Sequence, residues 1–324
     1  MKDLTTYKKT LKKVLNKLKS FNLDNLDSDY KQLKIVFDIA YSFDIFNLND
    51  IETEKIDLYK FELFKHLTQV SGALSFLAIQ ILAANAIMKN NQFKYSKKYI
   101  QKKSGIAINH LRAPITLVSA AKTSNGFALN GTLTWASGYK IFDTLLIGFH
   151  CNGCEYEVIA KFKKQVGFKI GKADKTFVGN SLHTVNIELD DFFVEDKYII
   201  SSKPIGNYSK AKSVSKTVHL CLYALGNTAL LYTDDLEFKQ DARKKLDKLR
   251  DKFLKSTDPV KMDFLRVELF ELVHQIITTT IILQGGKSIL SSGQLQRLYR
   301  ELIMFNANGL NNDLKKISKS NFLR

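Results

Sequence analysis

The chain has 324 residues, 45% of them hydrophobic and 25% charged, a balance that buries a core, excludes disorder over most of the length, and at this size predicts more than one core. The formal net charge of +17 at pH 7 favours anionic ligands. It does not indicate nucleic-acid binding: arginine occurs only at positions 112, 243, 250, 266, 297, 300 and 324, lysine carries the charge along the whole chain, and no recognition module accompanies it.

The Lys-rich segment 1–20 places Leu4, Tyr7, Leu11, Val14, Leu15 and Leu18 at helical spacing and predicts an amphipathic surface helix. The same spacing runs through 29–42 and 58–88, with Asn/Asp-rich breaks near 22–28 and 47–51. From Val70 to Met88 no charge occurs, which approaches the length of a membrane span. Ser71, Gly72, Ser75, Gln80 and Asn85 interrupt it and no second candidate follows, so it reads as a buried helix of a helical domain, with no membrane span expected.

At Gly105 the period changes. Ile106–Ile108, Ile115–Ser119, Gly126–Leu129, Thr132–Trp135, Thr144–Ile147 and Tyr156–Ala160 are short runs rich in β-branched and aliphatic residues. Turns are predicted at Ser124-Asn125-Gly126, Asn130-Gly131 and Asn152-Gly153, and further strands at 167–170, 183–189 and 197–201. Asn152-Gly153 lies inside a Cys151–Cys154 pair. With three cysteines in all there is no second pair for a structural zinc site and no disulfide framework, which points to a reducing, cytoplasmic setting. Helical spacing returns over 211–233, 235–255, 260–284 and 290–310, with breaks at Ser256-Thr257-Asp258-Pro259 and Gln284-Gly285-Gly286. The chain thus divides into an N-terminal helical domain (1–104), a small antiparallel β-barrel or sandwich (105–203) and a C-terminal helical bundle (204–324), mainly α with a central β domain.

Gly131-Thr-Leu-Thr-Trp135-Ala-Ser137-Gly138, Asp143, Gln284-Gly285-Gly286 and Arg297-Leu-Tyr-Arg300-Glu301, in this order and spacing, resemble the flavin-binding strand and closing helices of the acyl-CoA dehydrogenase superfamily. Ser71-Gly72 and Asp190–Asp196 are similar to the end of its N-terminal domain and of its β domain. The resemblance implies bound FAD, with Trp135 packed by the flavin ring and Ser137 bonding near its reactive edge. Strand alternation would let both point to one face. It also implies that Asn109 stands in the upstream flavin segment, where Asn109-His110-Leu111 replaces the usual Thr-Glu-Pro, and that Gln284, Gly285 and Gly286 approach the dinucleotide from a neighbouring subunit. His110 by itself reads as a satisfied or surface histidine, and Arg297 with Arg300-Glu301 reads as a buried ion-pair network. Where the family has a pyrophosphate-binding arginine this chain offers Lys239 or Arg243.

The implied partners are an acyl-CoA or acyl-carrier-protein thioester and a second copy in a homodimer or tetramer. The implied activity is oxidation of a CH–CH group. That chemistry needs a carboxylate to remove the α-proton. The family glutamate falls at Gly309, the earlier-helix alternative falls at Lys216-Thr217, and Leu302–Asn312 contains no Asp, Glu or His. The catalytic residue is therefore open. Two readings stand beside a dehydrogenase: a binding or scaffold subunit on the same fold, and a flavin-dependent monooxygenase.

Overall fold

The computed structural model describes residues 3–21, 26–113, 116–210, 213–290, 293–310 and 312–323. It begins with helices α1 (Leu4–Lys19), α2 (Tyr30–Ser42), α3 (Ile56–Leu67), α4 (Gly72–Asn90) and α5 (Ser96–Ile100). The amphipathic reading of α1 holds: Tyr7, Leu11, Val14 and Leu18 are buried while the lysines face outward. The expected stretch 58–88 is two helices. Ser71 makes the second start, its hydroxyl accepting from the N–H groups of Ala73 and Leu74 at 3.0 and 3.4 Å, as an N-cap does. Apolar on nearly every side, α4 is long enough to cross a membrane by length and composition, yet most of it is buried inside the protein.

The strands follow as β1 (Ser104–Ala107), β2 (Val118–Lys122), β3 (Gly126–Ala136), β4 (Thr144–Cys151), β5 (Cys154–Lys161), β6 (Phe168–Ala173), β7 (Val185–Glu195) and β8 (Ile199–Pro204). They form one sheet in the order β6-β7-β3-β2-β4-β5-β8, with β1 paired to β4. The pairing is antiparallel, as expected, except for β1 with β4 and β2 with β4, which run parallel. Asn152-Gly153 is the hairpin turn the sequence predicts, with φ of 47° and 77° and Cys151 opposite Cys154. Asn130-Gly131 is not a turn. β3 runs straight through it, and the pairing with β7 shifts there instead, Gly131 taking a φ of 133° with Leu117 O where a side chain would stand. The expected strand at 115–119 is seen from Val118; Ile115 lies outside the described residues.

The chain closes with α6 (Asn207–Lys210), α7 (Ser213–Ala229), α8 (Leu236–Leu254), α9 (Pro259–Gln284), α10 (Gln294–Ala307) and α11 (Asn312–Phe322). Asp258 caps α9 by accepting from Val260 N–H at 2.8 Å, with Pro259 in its first turn. Length alone predicts several cores; instead one buried apolar cluster runs from α1 through the sheet to α10, and a small second one forms where α4 meets β4, β5 and β8. The ring of Phe37 on α2 meets that of Phe142 edge-on at 5.8 Å, so the helices and the sheet share one interior.

Candidate functional site

The end of β3 is irregular. Leu133 pairs with Ile187 and Ala136 with Val185, so Thr134 and Trp135 together face Asn186, a β-bulge that turns both side chains outward. Trp135 takes a φ of 60°, is 66% exposed, and its N–H donates to Asn186 Oδ1 at 3.3 Å. Ser137, just beyond the bulge, is buried, its hydroxyl bonded to that of Thr184 at 2.8 Å. The expectation that Trp135 and Ser137 share a face therefore fails: β3 ends at Ala136, and Ser137 lies in the turn beyond it with its hydroxyl buried while the ring of Trp135 is exposed.

A second turn lies against this one. Gly138, at φ 85°, donates its N–H to Leu182 O at 2.6 Å, and a side chain there would strike the Phe142 ring. Lys140 and His183 are both left-handed, at φ 67° and 47°. The imidazole of His183 sits 4.4 Å from the Tyr30 ring and 5.5 Å from that of Tyr139, with Lys140 Nζ 5.4 Å from the centre of Tyr30. Burial, then the nearby ammonium of Lys140, hold the imidazole below the usual histidine range, and the Tyr139 backbone pulls the other way. Asp27 fastens the approach to this turn: its carboxylate accepts from Gly179 N–H at 2.8 Å and its carbonyl from Ser181 N–H at 3.0 Å. A side chain at Gly179 would lie 3.1 Å from Met304 Sδ, so α10 lines the same region.

The other expected site residues lie elsewhere in the chain. Asn109 is exposed on a short 3-10 turn against β4, which β2 separates from β3 in the sheet. Its neighbour His110 is a satisfied histidine, bonded to Gly148 O at 2.9 Å and held low by burial. Gln284 bonds the Tyr232 carbonyl with its side-chain amide, and Gly285 (φ 66°) and Gly286 have open space where a side chain would stand. Leu231, Leu236, Ile282, Leu283, Ile289 and Leu290 are exposed on the segments that meet at this turn. Lys239 and Arg243 line a shallow groove of about 490 Å³ along α8.

Gly309 takes a φ of 61°, a conformation that suits glycine. Arg266 closes the turn before it: Nη2 of this fully buried side chain donates to Asn306 O at 2.6 Å and Asn308 O at 2.8 Å. Burial brings its pKa down to about 10, Asp263 opposing and Arg112 adding to the shift. Position 309 thus has a guanidinium behind it and no acid.

Arg297 and Glu301 form the buried network that the sequence suggests. Arg297 Nη1 lies 2.8 Å from both carboxylate oxygens of Glu301, its Nε donates to Gln294 Oε1 at 2.9 Å and its Nη2 to Thr68 O at 3.1 Å. Glu301 also accepts from Gly72 N–H at 2.6 Å, and a side chain at Gly72 would come within 2.5 Å of the carboxyl carbon. Gly72 is therefore needed for α4 to start against this carboxylate. Its burial raises the Glu301 pKa, and Arg297 and the Gly72 N–H oppose that shift.

Tyr30, Tyr139, Lys140, His183 and Thr184 were not singled out by the sequence. Their one trace is glycine at 138 and 179, on either side of the paired turns. Nothing in the residue types marks Lys140 or His183 as left-handed.

The fold is the acyl-CoA dehydrogenase-like fold: N-terminal helices, a central β-sheet domain and a C-terminal helical domain. The chain is similar over its whole length to the glutaryl-coenzyme A dehydrogenase of a glutaryl-CoA complex, at 13% identity and TM-score 0.77, covering 96% of that chain. It is similar to butyryl-CoA dehydrogenase from Megasphaera elsdenii at 14% identity and TM-score 0.74, covering 99% of each chain. It is also similar to 3-HSA hydroxylase from Rhodococcus sp. RHA1 at 11% identity and TM-score 0.72, covering 97% of this chain and 96% of that one. No family model and no curated protein matches the sequence. At these identities the likeness defines the fold, and the fold holds both dehydrogenases and hydroxylases.

Proposed function

We propose that this chain is a flavin-dependent oxidoreductase of the acyl-CoA dehydrogenase fold, cytoplasmic, acting on an acyl-CoA or acyl-carrier-protein thioester with FAD laid against Trp135. The observation that carries this reading is Trp135 itself, a lone tryptophan that a bulge holds at left-handed φ and 66% exposed. Such backbone strain costs of order 1–3 kcal/mol and clusters at working sites. An exposed indole gains from a flat ligand laid on it, through apolar contact and ring stacking.

The residues fit the cofactor in part. Trp135 offers an open ring, and Gly285 and Gly286 leave the open space that a pyrophosphate needs to approach a backbone. Ser137 gives its hydroxyl to Thr184, and Asn109 lies against β4, so neither presents itself to a ring at Trp135 within one chain. When bound, FAD supplies a two-electron acceptor; the protein supplies placement and electrostatics.

The glycine turn enters this reading through a second copy. The aliphatic side chains around it are exposed in the single chain, and a homodimer or tetramer that buries them removes that surface from water at about 25 cal/mol per Å². The base is the missing part: Gly309 has no side chain, and Glu301 is committed to Arg297 and Gly72.

The test is a titration of the purified full chain with FAD, followed by Trp135 fluorescence and flavin absorbance. Stoichiometric uptake with quenching is expected, and Trp135→Ala should weaken it by up to about tenfold, the worth of one ring contact. Fluorescence that ignores FAD would remove the reading. A scaffold subunit is then the better account; the Ser137–Thr184 hydroxyl pair and the acid-free turn at Gly309 favour it.

A further inference from the structure

The hairpin of β4 and β5 brings together two thiols that the flavin reading leaves unused. Cys151 ends β4, Cys154 begins β5, and the two are Cα partners across the turn. Directly opposed residues of an antiparallel pair share one face of the sheet and stand roughly 4.5–5.5 Å apart at Cα, inside the span of roughly 4.4–6.8 Å that a disulfide bridges. Asn152 and Gly153 hold that approach, left-handed at φ 47° and 77° and both exposed. The two thiols differ in access. Cys154 is half-buried at the open end of the hairpin, while Cys151 is buried. A reachable sulfur beside a shielded one is the arrangement in which the first meets an oxidant and the second resolves it. Cys221 supplies the contrast: it is fully buried on α7 and burial pushes its thiol up, the state of an inert structural cysteine. In a reducing compartment a disulfide between such neighbours is transient and redox-responsive.

We propose that Cys151 and Cys154 are a reversible thiol–disulfide site, closed by low-molecular-weight disulfides and opened by small thiols. The site stands apart from the flavin and thioester readings, whose failure would leave it untouched. In the closing step the Cys154 thiol gives its proton to solvent and its sulfur attacks one sulfur of the small disulfide. That S–S bond breaks, one small thiolate leaves and takes up a proton, and a mixed disulfide remains. Cys151, deprotonated in turn, attacks the Cys154 sulfur, and the second small thiolate leaves and is protonated as the first was. The two protein thiols give up two electrons and the small disulfide takes them, ending as two thiols. The bond closes only the segment 151–154, too short a loop to withdraw much freedom from the unfolded chain, so small thiols can open it again. It forms beside the exit from the sheet: Gly153 O accepts from Ile205 N–H at 3.2 Å, and Cys154 pairs with Pro204.

Mass spectrometry tests the site on the full chain. The protein is reduced, freed of reductant, incubated with oxidised glutathione, alkylated under unfolding conditions and cut at lysine, which leaves both cysteines in the one peptide 141–161. The expected product is that peptide without alkyl groups and two hydrogens lighter than the dithiol, returned to the dialkylated form by dithiothreitol. Cys221 should be alkylated throughout. Cys151→Ala should stall at the mixed disulfide of Cys154 with glutathione, whereas Cys154→Ala should leave the buried Cys151 free to be alkylated. Equal glutathione uptake by the two variants overturns the assignment of Cys154 as the attacking sulfur. A wild-type chain that stays dialkylated in excess oxidised glutathione, stops at the mixed disulfide, or joins two copies through these cysteines overturns the site itself. That result comes from the unaltered protein, so it stands even where a variant fails to fold.

Discussion

Two seams of this molecule carry motifs of the same resemblance and have opposite characters. Where α10 meets the start of α4, half-buried Arg297 and buried Glu301 are matched: guanidinium to carboxylate, carboxylate to the Gly72 N–H, guanidinium to the Thr68 carbonyl. Where β3 ends against the 179–184 turn, the tryptophan is exposed and three non-glycine residues are left-handed. A saturated network holds domains together, because each of its groups is costly to leave alone. Strain serves no such purpose. Motif likeness alone does not separate the two; the hydrogen-bond inventory does.

The largest expected effect lies on the saturated side. Glu301→Ala leaves the half-buried Arg297 without its carboxylate and the Gly72 N–H without its acceptor, and should cost about 3 kcal/mol in urea unfolding. Gly72→Ala forces a methyl group toward the Glu301 carboxyl and should cost about 1–3 kcal/mol by the same measurement. If either were neutral, the distinction between the seams would collapse.

His219 sharpens the comparison by showing what burial alone does to an imidazole. It is fully buried on α7 and stacked on Phe253 at 4.4 Å, with the Leu265 backbone close enough to favour its charged form weakly. Burial pushes its pKa down to about 3. The folded state therefore binds this proton less well than the unfolded chain, whose histidine titrates near 6.5. The resulting stability is complete above about pH 6.5 and is lost as the pH falls toward 3, at up to about 1.4 kcal/mol per pH unit. His219→Leu should flatten that slope, with a loss of at most about 1 kcal/mol at neutral pH for the contact with the Leu265 backbone. A slope that survives the substitution would place the acid sensitivity elsewhere.

The smallest effect lies on the strained side and has the opposite sign. Trp135→Gly relieves a left-handed backbone and gives up an exposed ring, so it should raise stability by about 1 kcal/mol while weakening flavin binding. A loss of stability would mean that the indole is part of the packing after all.

Much of the fold was legible because it rests on periodicity. The run Leu4 to Leu18, the break at Ser256–Pro259 and the Asn152-Gly153 hairpin each follow from residue types acting over a few positions, whereas the helix start at Ser71 inside the expected stretch 58–88 did not show in its apolar spacing. Asn130-Gly131 misled for the same reason: the dipeptide signals a turn locally, while pairing with β7 on one side and β2 on the other keeps it within a strand. The sequence marked the exposed ring at Trp135, the turn at Gly138 and the ion pair of Arg297 with Glu301, where a motif fixes the spacing. The rest depended on geometry that no residue type announces. The end of β3 at Ala136 separates Trp135 from Ser137, and Tyr30 reaches His183 from a helix more than a hundred positions away in the chain.

The turn at Gly309 also limits what engineering can restore. Writing a glutamate into that position would ask a residue with a Cβ to adopt a left-handed backbone that glycine takes without cost. It would also set the new acid beside carbonyls already gripped by Arg266, whose positive charge would keep it ionised and weakly basic. The lost acid is thus not one substitution away; the arginine and the loop would have to change with it.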